Sequence, residues 1–304
     1  MDLIRLKNVS KQYIGIRGIQ GKLALKELTV NIPKGGIHFV IGPEGAGKST
    51  FLHLISALDC CTSGEIWFED ECISNHSFNE LTFFRKQKIG LLFQALSLTD
   101  GLSALENVLV PIIPDGITPI DVENARILLN QVGLGENLLF LPLELTSGEQ
   151  QRTALARAMV NHPQLIIADE PAGELDAHEA EELFDYIRKL NKEFGVTFII
   201  ASRSTKFAKK NDLIYKLYEG SLLPEESEGR SIQTSSESSS EDTSKTSTKP
   251  SSETQTDIVA FTALTSEEFL KPKISENNEA TDVDLPIISE SPRSQPKEEN
   301  TSNS

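Results

Sequence analysis

Cysteine is scarce in this chain: only Cys60, Cys61 and Cys72 occur among 304 residues. They form no C-x-x-C pair and cannot all pair with one another, which excludes a disulfide scaffold and fits a reducing compartment. No histidine or second cysteine pair stands beside them at ligand spacing, so no zinc-type site is expected. Long apolar runs are also lacking. None approaches the ~18 residues that a membrane helix requires, so any membrane-spanning part is expected from another chain. Met1-Asp2-Leu3-Ile4-Arg5 has no apolar core of the kind a secretory signal carries. A basic excess is absent as well. The formal net charge is -16, which argues against general nucleic-acid binding, because phosphate contacts need basic surface. The acid is concentrated late: residues 221–304 hold 7 Lys and Arg against 17 Asp and Glu. No internal repeat interrupts the chain.

What is present is an alternation of strand and helix patterns over residues 1–222. Leu3–Val9, Leu28–Ile32, Glu65–Glu69, Ile89–Phe93, Leu165–Ala168 and Val196–Ala201 read as strands. Phe51–Leu58, Val122–Val132, Gln150–Val160 and Ala177–Lys192 read as helices. Strand–helix alternation of this kind implies an α/β fold with a mainly parallel sheet covered on both faces. Composition changes near Leu222. Residues 223–304 are rich in Ser, Thr, Glu and Pro, too poor in apolar surface to offset the entropy of ordering, and are expected to be a disordered acidic tail. Two short apolar islands, Ile258–Phe261 and Leu285–Ile288, interrupt it.

One segment decides the chemistry. Gly42-Pro43-Glu44-Gly45-Ala46-Gly47-Lys48-Ser49-Thr50 fits the phosphate-loop pattern G-x-x-x-x-G-K-[ST] without a mismatch. The buried-strand pattern Ile37–Ile41 precedes it and a helix follows, which is the context the motif needs. Its glycines let the backbone fold around a polyphosphate, with N–H groups turned inward at the positive end of a helix. Lys48 can then reach the β- and γ-phosphates, and the Ser49 hydroxyl can ligate Mg²⁺. A second segment, Leu165-Ile166-Ile167-Ala168-Asp169-Glu170, is an apolar strand ending in two acids. It resembles the Walker B motif, in which Asp169 holds Mg²⁺ and Glu170 polarises the attacking water.

Leu145-Thr146-Ser147-Gly148-Glu149-Gln150-Gln151-Arg152, followed by an Ala- and Arg-rich helix, resembles the ABC signature. With it the chain, over residues 1 to about 222, resembles the ATP-binding subunits of ABC transporters. Thr62-Ser63-Gly64-Glu65, Leu105-Glu106-Asn107-Val108, and Ala168-Asp169-Glu170-Pro171 with Leu175-Asp176 point to the lipoprotein-releasing, macrolide-export and FtsE-like branch. The resemblance implies a P-loop NTPase of the ABC cassette type, with a mainly parallel core sheet, an antiparallel β subdomain and an α-helical subdomain facing membrane partners. It implies that Tyr13 stacks on adenine, that Gln94 contacts Mg²⁺ and couples to the membrane subunit, and that Asp176 communicates across a dimer. It also implies that Ser147, Gly148 and Glu149, at the start of the signature helix, face the γ-phosphate held by a second subunit. A homodimer or heterodimer would then enclose two ATP molecules and drive a membrane-spanning permease from the cytoplasmic face, leaning to export or extraction from the membrane. Read without that resemblance, Tyr13 is equally an edge aromatic and Gln94 a loop residue. Arg152 and Arg157 read as helix-surface ion-pair formers, and Trp67 as packing for a small sheet.

Three positions depart from the family pattern. Thr146 stands where Ser is usual and keeps a hydroxyl. Ser147 stands where the first signature glycine is usual, and is expected to crowd the phosphate or to restrict the backbone. Arg203 stands where the switch histidine is usual. It keeps positive charge but cannot act as a neutral acceptor, and would have to fold back to fit. The expected function is therefore an ATPase with slowed turnover. The competing expectation is a nucleotide-dependent regulator of a membrane complex with little turnover.

Overall fold

The computed structural model describes residues 1–14, 20–93 and 98–223. In chain order the strands are β1 (Asp2–Ile14), β2 (Gln20–Pro33), β3 (Ile37–Ile41), β4 (Ser63–Phe68), β5 (Glu71–Cys72), β6 (Ile89–Phe93), β7 (Leu165–Asp169), β8 (Thr197–Ser202), β9 (Leu213–Tyr218) and β10 (Ser221–Leu222). The helices are α1 (Lys48–Ile55), α2 (Phe78–Lys88), α3 (Ala104–Leu109), α4 (Pro119–Gln131), α5 (Ser147–Met159) and α6 (Ala177–Phe194).

The strands form two sheets. One is antiparallel with the order β2-β1-β4-β5, and the other has the order β10-β9-β3-β8-β7-β6. In the second sheet β9, β3, β8, β7 and β6 run parallel, and only β10 turns back on β9. This is the mainly parallel core, with its β subdomain, that the sequence implied. The strand expected at Leu3–Val9 runs on to Ile14, and the helix expected from Phe51 starts three residues earlier at Lys48.

The central strands are apolar on both faces because both faces are covered. In β8, residues Thr197 to Ala201 are all buried. Phe198 and Ile200 join the core that holds Phe39, Leu155 and Phe184, on the side of α3–α6. Ile199 and Ala201 join the core that holds Val40, Phe51 and Phe68, on the side of α1, α2 and the antiparallel sheet. Phe198 has no accessible surface. Phe198→Ala is accordingly expected to cost about 3–5 kcal/mol of stability, read as a lowered denaturation midpoint with unchanged slope.

Local signals start the helices. Ser77 with Glu80, Ser103 with Glu106, Thr118 with Asp121 and Thr146 with Glu149 each close a reciprocal capping box, satisfying N–H groups that a helix start leaves open. Trp67 packs on the small sheet as expected, with its indole N–H donated to Glu65 at 2.9 Å and the Lys7 ammonium over its ring. Arg152 pairs with Glu182 at 3.2 Å. Among the described residues, no helix is long and apolar enough to cross a membrane.

Candidate functional site

The parallel ladder assembles the site. β3 lies between β9 and β8, and β8 lies between β3 and β7. Register places Ile41 beside Ser202 and Asp169 beside Ala201. The segments that leave these three strands, the phosphate loop, the Arg203 turn and Asp169-Glu170, therefore emerge side by side at the carboxyl edge, where open α/β sheets place their ligands. Tyr13, Glu44, Gly45, Gly47, Lys48, Ser49, Thr50, Asp169, Glu170 and Arg203 line one cavity of about 350 Å³, together with Lys22 and Ala24.

The loop is fixed from beneath. Gly47 has φ 104°, and a Cβ there would lie 2.7 Å from the Ala24 carbonyl oxygen, so both conformation and space demand glycine. A Cβ on Gly42 would stand 2.2 Å from the Leu217 carbonyl oxygen. The Gly220 N–H donates to the Ala46 carbonyl at 2.9 Å, tying the loop to the β9–β10 turn. The Lys48 side chain is only 6 % exposed, and its ammonium donates to the carbonyls of Gly42 at 2.8 Å and Pro43 at 3.1 Å. The loop thus pre-forms around its own lysine at the head of α1, with Pro43 and Ala46 completing the turn.

Glu170 sits at the junction of the charges. Its backbone is in the left-handed region at φ 45°, an uncommon conformation for a residue with a side chain and one that clusters at functional positions. Its N–H donates to the Ala201 carbonyl at 3.0 Å. The carboxylate accepts from Arg203 Nε at 3.0 Å and lies 3.8 Å from Lys48 Nζ. The Arg203 guanidinium also stands 3.9 Å from Glu44 in the phosphate loop. The hydrogen bond to Glu170, and after it the charges of Glu170 and Glu44, hold the Arg203 guanidinium above its ordinary range. It stays protonated at every working pH and cannot imitate the neutral state of histidine.

Tyr13 extends over the loop from β1, its hydroxyl 3.3 Å from that of Thr50, with the Lys11 ammonium 5.1 Å from its ring centroid. Lys22, on the facing strand β2, donates to the Gly45 carbonyl at 3.3 Å. A lone lysine in a strand carries no motif, so Lys22 is invisible to local sequence; it lies on the strand that pairs with β1 and reaches the loop from there. Gln94 lies outside the described residues.

The signature residues are elsewhere. Ser147 lines a small separate cavity with Gln150, Gln151, Gly173 and Glu174, which Glu170 also borders. Ser147 is the first residue of α5 and exposed, in ordinary helical backbone. The expected backbone restriction at Ser147 is therefore corrected: serine adopts this conformation freely, and only its bulk remains to matter. The Glu149 carboxylate is engaged by the Thr146 N–H at 2.8 Å and by the Asn137 amide at 3.3 Å. Gly148 N–H donates to Glu179 at 3.2 Å. Asp176 caps α6, accepting from the Glu179 N–H at 2.8 Å. One copy thus gathers the phosphate loop, Asp169, Glu170 and Arg203, and presents the signature helix in a different place.

Comparison with known proteins shows the family. A family described as ABC transporter matches residues 25–173. The lipoprotein-releasing system ATP-binding protein LolD of Francisella tularensis subsp. holarctica is 35% identical over 222 residues, 72% of this chain and 95% of that protein. LolD of Colwellia psychrerythraea is 39% identical over 217 residues, 71% of this chain and 83% of that protein. Among solved structures, the ATP-binding cassette MJ0796, in a dimeric post-hydrolysis state bound to ADP and Pi, superposes with a TM-score of 0.66 at 34% identity. It covers 73% of this chain and 97% of that one.

Proposed function

The chain belongs to the ABC transporter family of ATP-binding cassettes, and from that premise we propose that it is the ATP-hydrolysing subunit of a membrane transporter of the lipoprotein-releasing type. The observation that carries this reading is the single cavity in which the Lys48 loop meets Asp169, Glu170 and Arg203. The cassette is residues 1–222; residues 223–304 are no part of it by composition. The relatives carry the transporter reading and lend nothing to the regulatory one.

In this reading the backbone N–H groups of residues 44–50 and the Lys48 ammonium bind the triphosphate of ATP, and the Tyr13 ring stacks on the base. The Ser49 hydroxyl and the Asp169 carboxylate, both lining the cavity, are hard oxygen donors suited to Mg²⁺, with Gln94 as a further donor. Magnesium, when bound, neutralises phosphate charge. Glu170 takes a proton from a water as its oxygen attacks the γ-phosphorus; the bond to the β–γ bridging oxygen breaks and ADP departs. Two copies close head to tail, each setting its Ser147–Glu149 helix start, with Asp176 beside it, against the ATP of the other. The groove of about 400 Å³ bordered by Arg85, Lys86, Leu91, Phe93 and Pro111 receives the cytoplasmic segment of a permease, which places the chain at the cytoplasmic face of the membrane.

Arg203 sets the rate. While its Nε–H is bonded to Glu170, the carboxylate that must accept a proton is engaged by a permanent cation. Arg203→His is expected to raise steady-state ATP turnover about tenfold, the scale of one charge-assisted hydrogen bond removed from the base; equal turnover in the two chains would refute the assignment. Co-expression with a permease of the lipoprotein-releasing type should give a detergent-stable complex that hydrolyses ATP faster than the isolated chain. Failure to form that complex would remove the transporter reading.

A further inference from the structure

Glu179 behaves unlike its counterparts. In α2, α3, α4 and α5 the acid at the third helical position turns back to its own cap and closes the box. In α6 the cap is Asp176 and the acid is Glu179, and only half of the exchange forms: Asp176 accepts from the Glu179 N–H. The Glu179 carboxylate instead crosses to α5 and accepts from the Gly148 N–H at 3.2 Å. It packs so closely that a Cβ on Gly148 would meet its oxygen at 2.9 Å.

The start of α5 carries the positive end of the helix and N–H groups with no partner inside it. One of these, Glu149 N–H, is capped by Thr146 at 3.2 Å. Gly148 N–H is the next, and an internal carboxylate holds it. We propose that Glu179 is a built-in stand-in for phosphate, which occupies the signature helix until ATP bound to a second copy displaces it. This rests on the head-to-tail reading above and adds its regulation. The carboxylate and the terminal phosphate compete for the same donor, and two anions at one helix start repel each other. Closure of two copies therefore requires Glu179 to swing away, and the ATP concentration at which they pair is set higher than the signature helix alone would set it. Glu179 is outside the phosphate-loop cavity, so the affinity of a single copy for ATP is independent of it.

The test compares Glu179→Gln and Glu179→Ala with the parent, all in the full chain carrying Glu170→Gln to suppress hydrolysis. Sedimentation velocity reads the fraction paired as Mg-ATP is titrated, and calorimetry at protein concentrations too dilute for pairing reads ATP binding by single copies. Both variants are expected to pair at about tenfold lower ATP, the scale of one charge-assisted hydrogen bond, with single-copy affinity unchanged. Pairing of both at the parental ATP concentration, or at a higher one, overturns the role of Glu179 and leaves the head-to-tail reading intact. Absence of ATP-dependent pairing in all three chains overturns both. Thermal melts identify a variant that has lost its fold, and the other variant then decides.

Discussion

Glu170→Gln is expected to lower ATP turnover by about 10²–10⁴-fold, the usual contribution of a positioned general base, while ATP still binds. Among the described residues, this carboxylate alone pairs with both Lys48, at 3.8 Å, and Arg203, at 3.0 Å. Glutamine keeps the shape and can still accept from Arg203, but it cannot take a proton from water. Binding holds or tightens because the substitution removes a negative charge from a cavity that must take a triphosphate. Phosphate release at steady state and calorimetry with Mg-ATP measure the two halves of this expectation. Turnover near the parental rate would place the base at another residue.

Lys48→Ala is expected to act on the other half, weakening ATP binding by about a hundredfold or more. Charge-assisted contacts of a near-buried ammonium are worth about twice neutral ones, and three consequences of its loss point the same way. The Gly42 and Pro43 carbonyls lose their donor, the Glu170 carboxylate loses a neighbouring cation, and the phosphates lose theirs. The loop then faces a polyanion with uncompensated acids. Its backbone bond from Gly220 and its close packing on the Ala24 and Leu217 carbonyls do not involve the lysine side chain and survive the substitution, so the fold should melt within a few degrees of the parent. Calorimetry showing equal heats for the two chains would undo the phosphate-loop assignment.

The motifs were legible because each is contiguous: the phosphate loop, the Asp169-Glu170 strand end and the signature stretch are read from neighbouring residues. The strands that carry them were legible because burial on both faces makes them uniformly apolar, as in β7 and β8. What escaped was set by partners far along the chain. β9 is mostly exposed or half-buried, with only Leu217 buried, so Leu213–Tyr218 has no uniform apolar run to announce it. α2 has a clear start in Ser77 and Glu80, but only Leu81 and Phe84 of its eleven residues are buried, too few to mark a periodic face. Lys22 at the loop, Glu44 against Arg203 and Glu179 on Gly148 each depend on pairings across strands or helices that no local pattern encodes. The concern over the Ser147 backbone had the opposite origin: a glycine in a family pattern suggested unusual dihedrals, whereas the residue begins an ordinary helix.

The staple between Gly220 and Ala46 bears on how the protein is made. The loop leaves the ribosome early, yet the turn that ties it down and the Leu217 carbonyl that walls it in come at the very end of the cassette. A nascent chain therefore lacks this tie on its loop until nearly the whole cassette has been synthesised, and nonsense products halted before β9 would leave that loop untethered on that side.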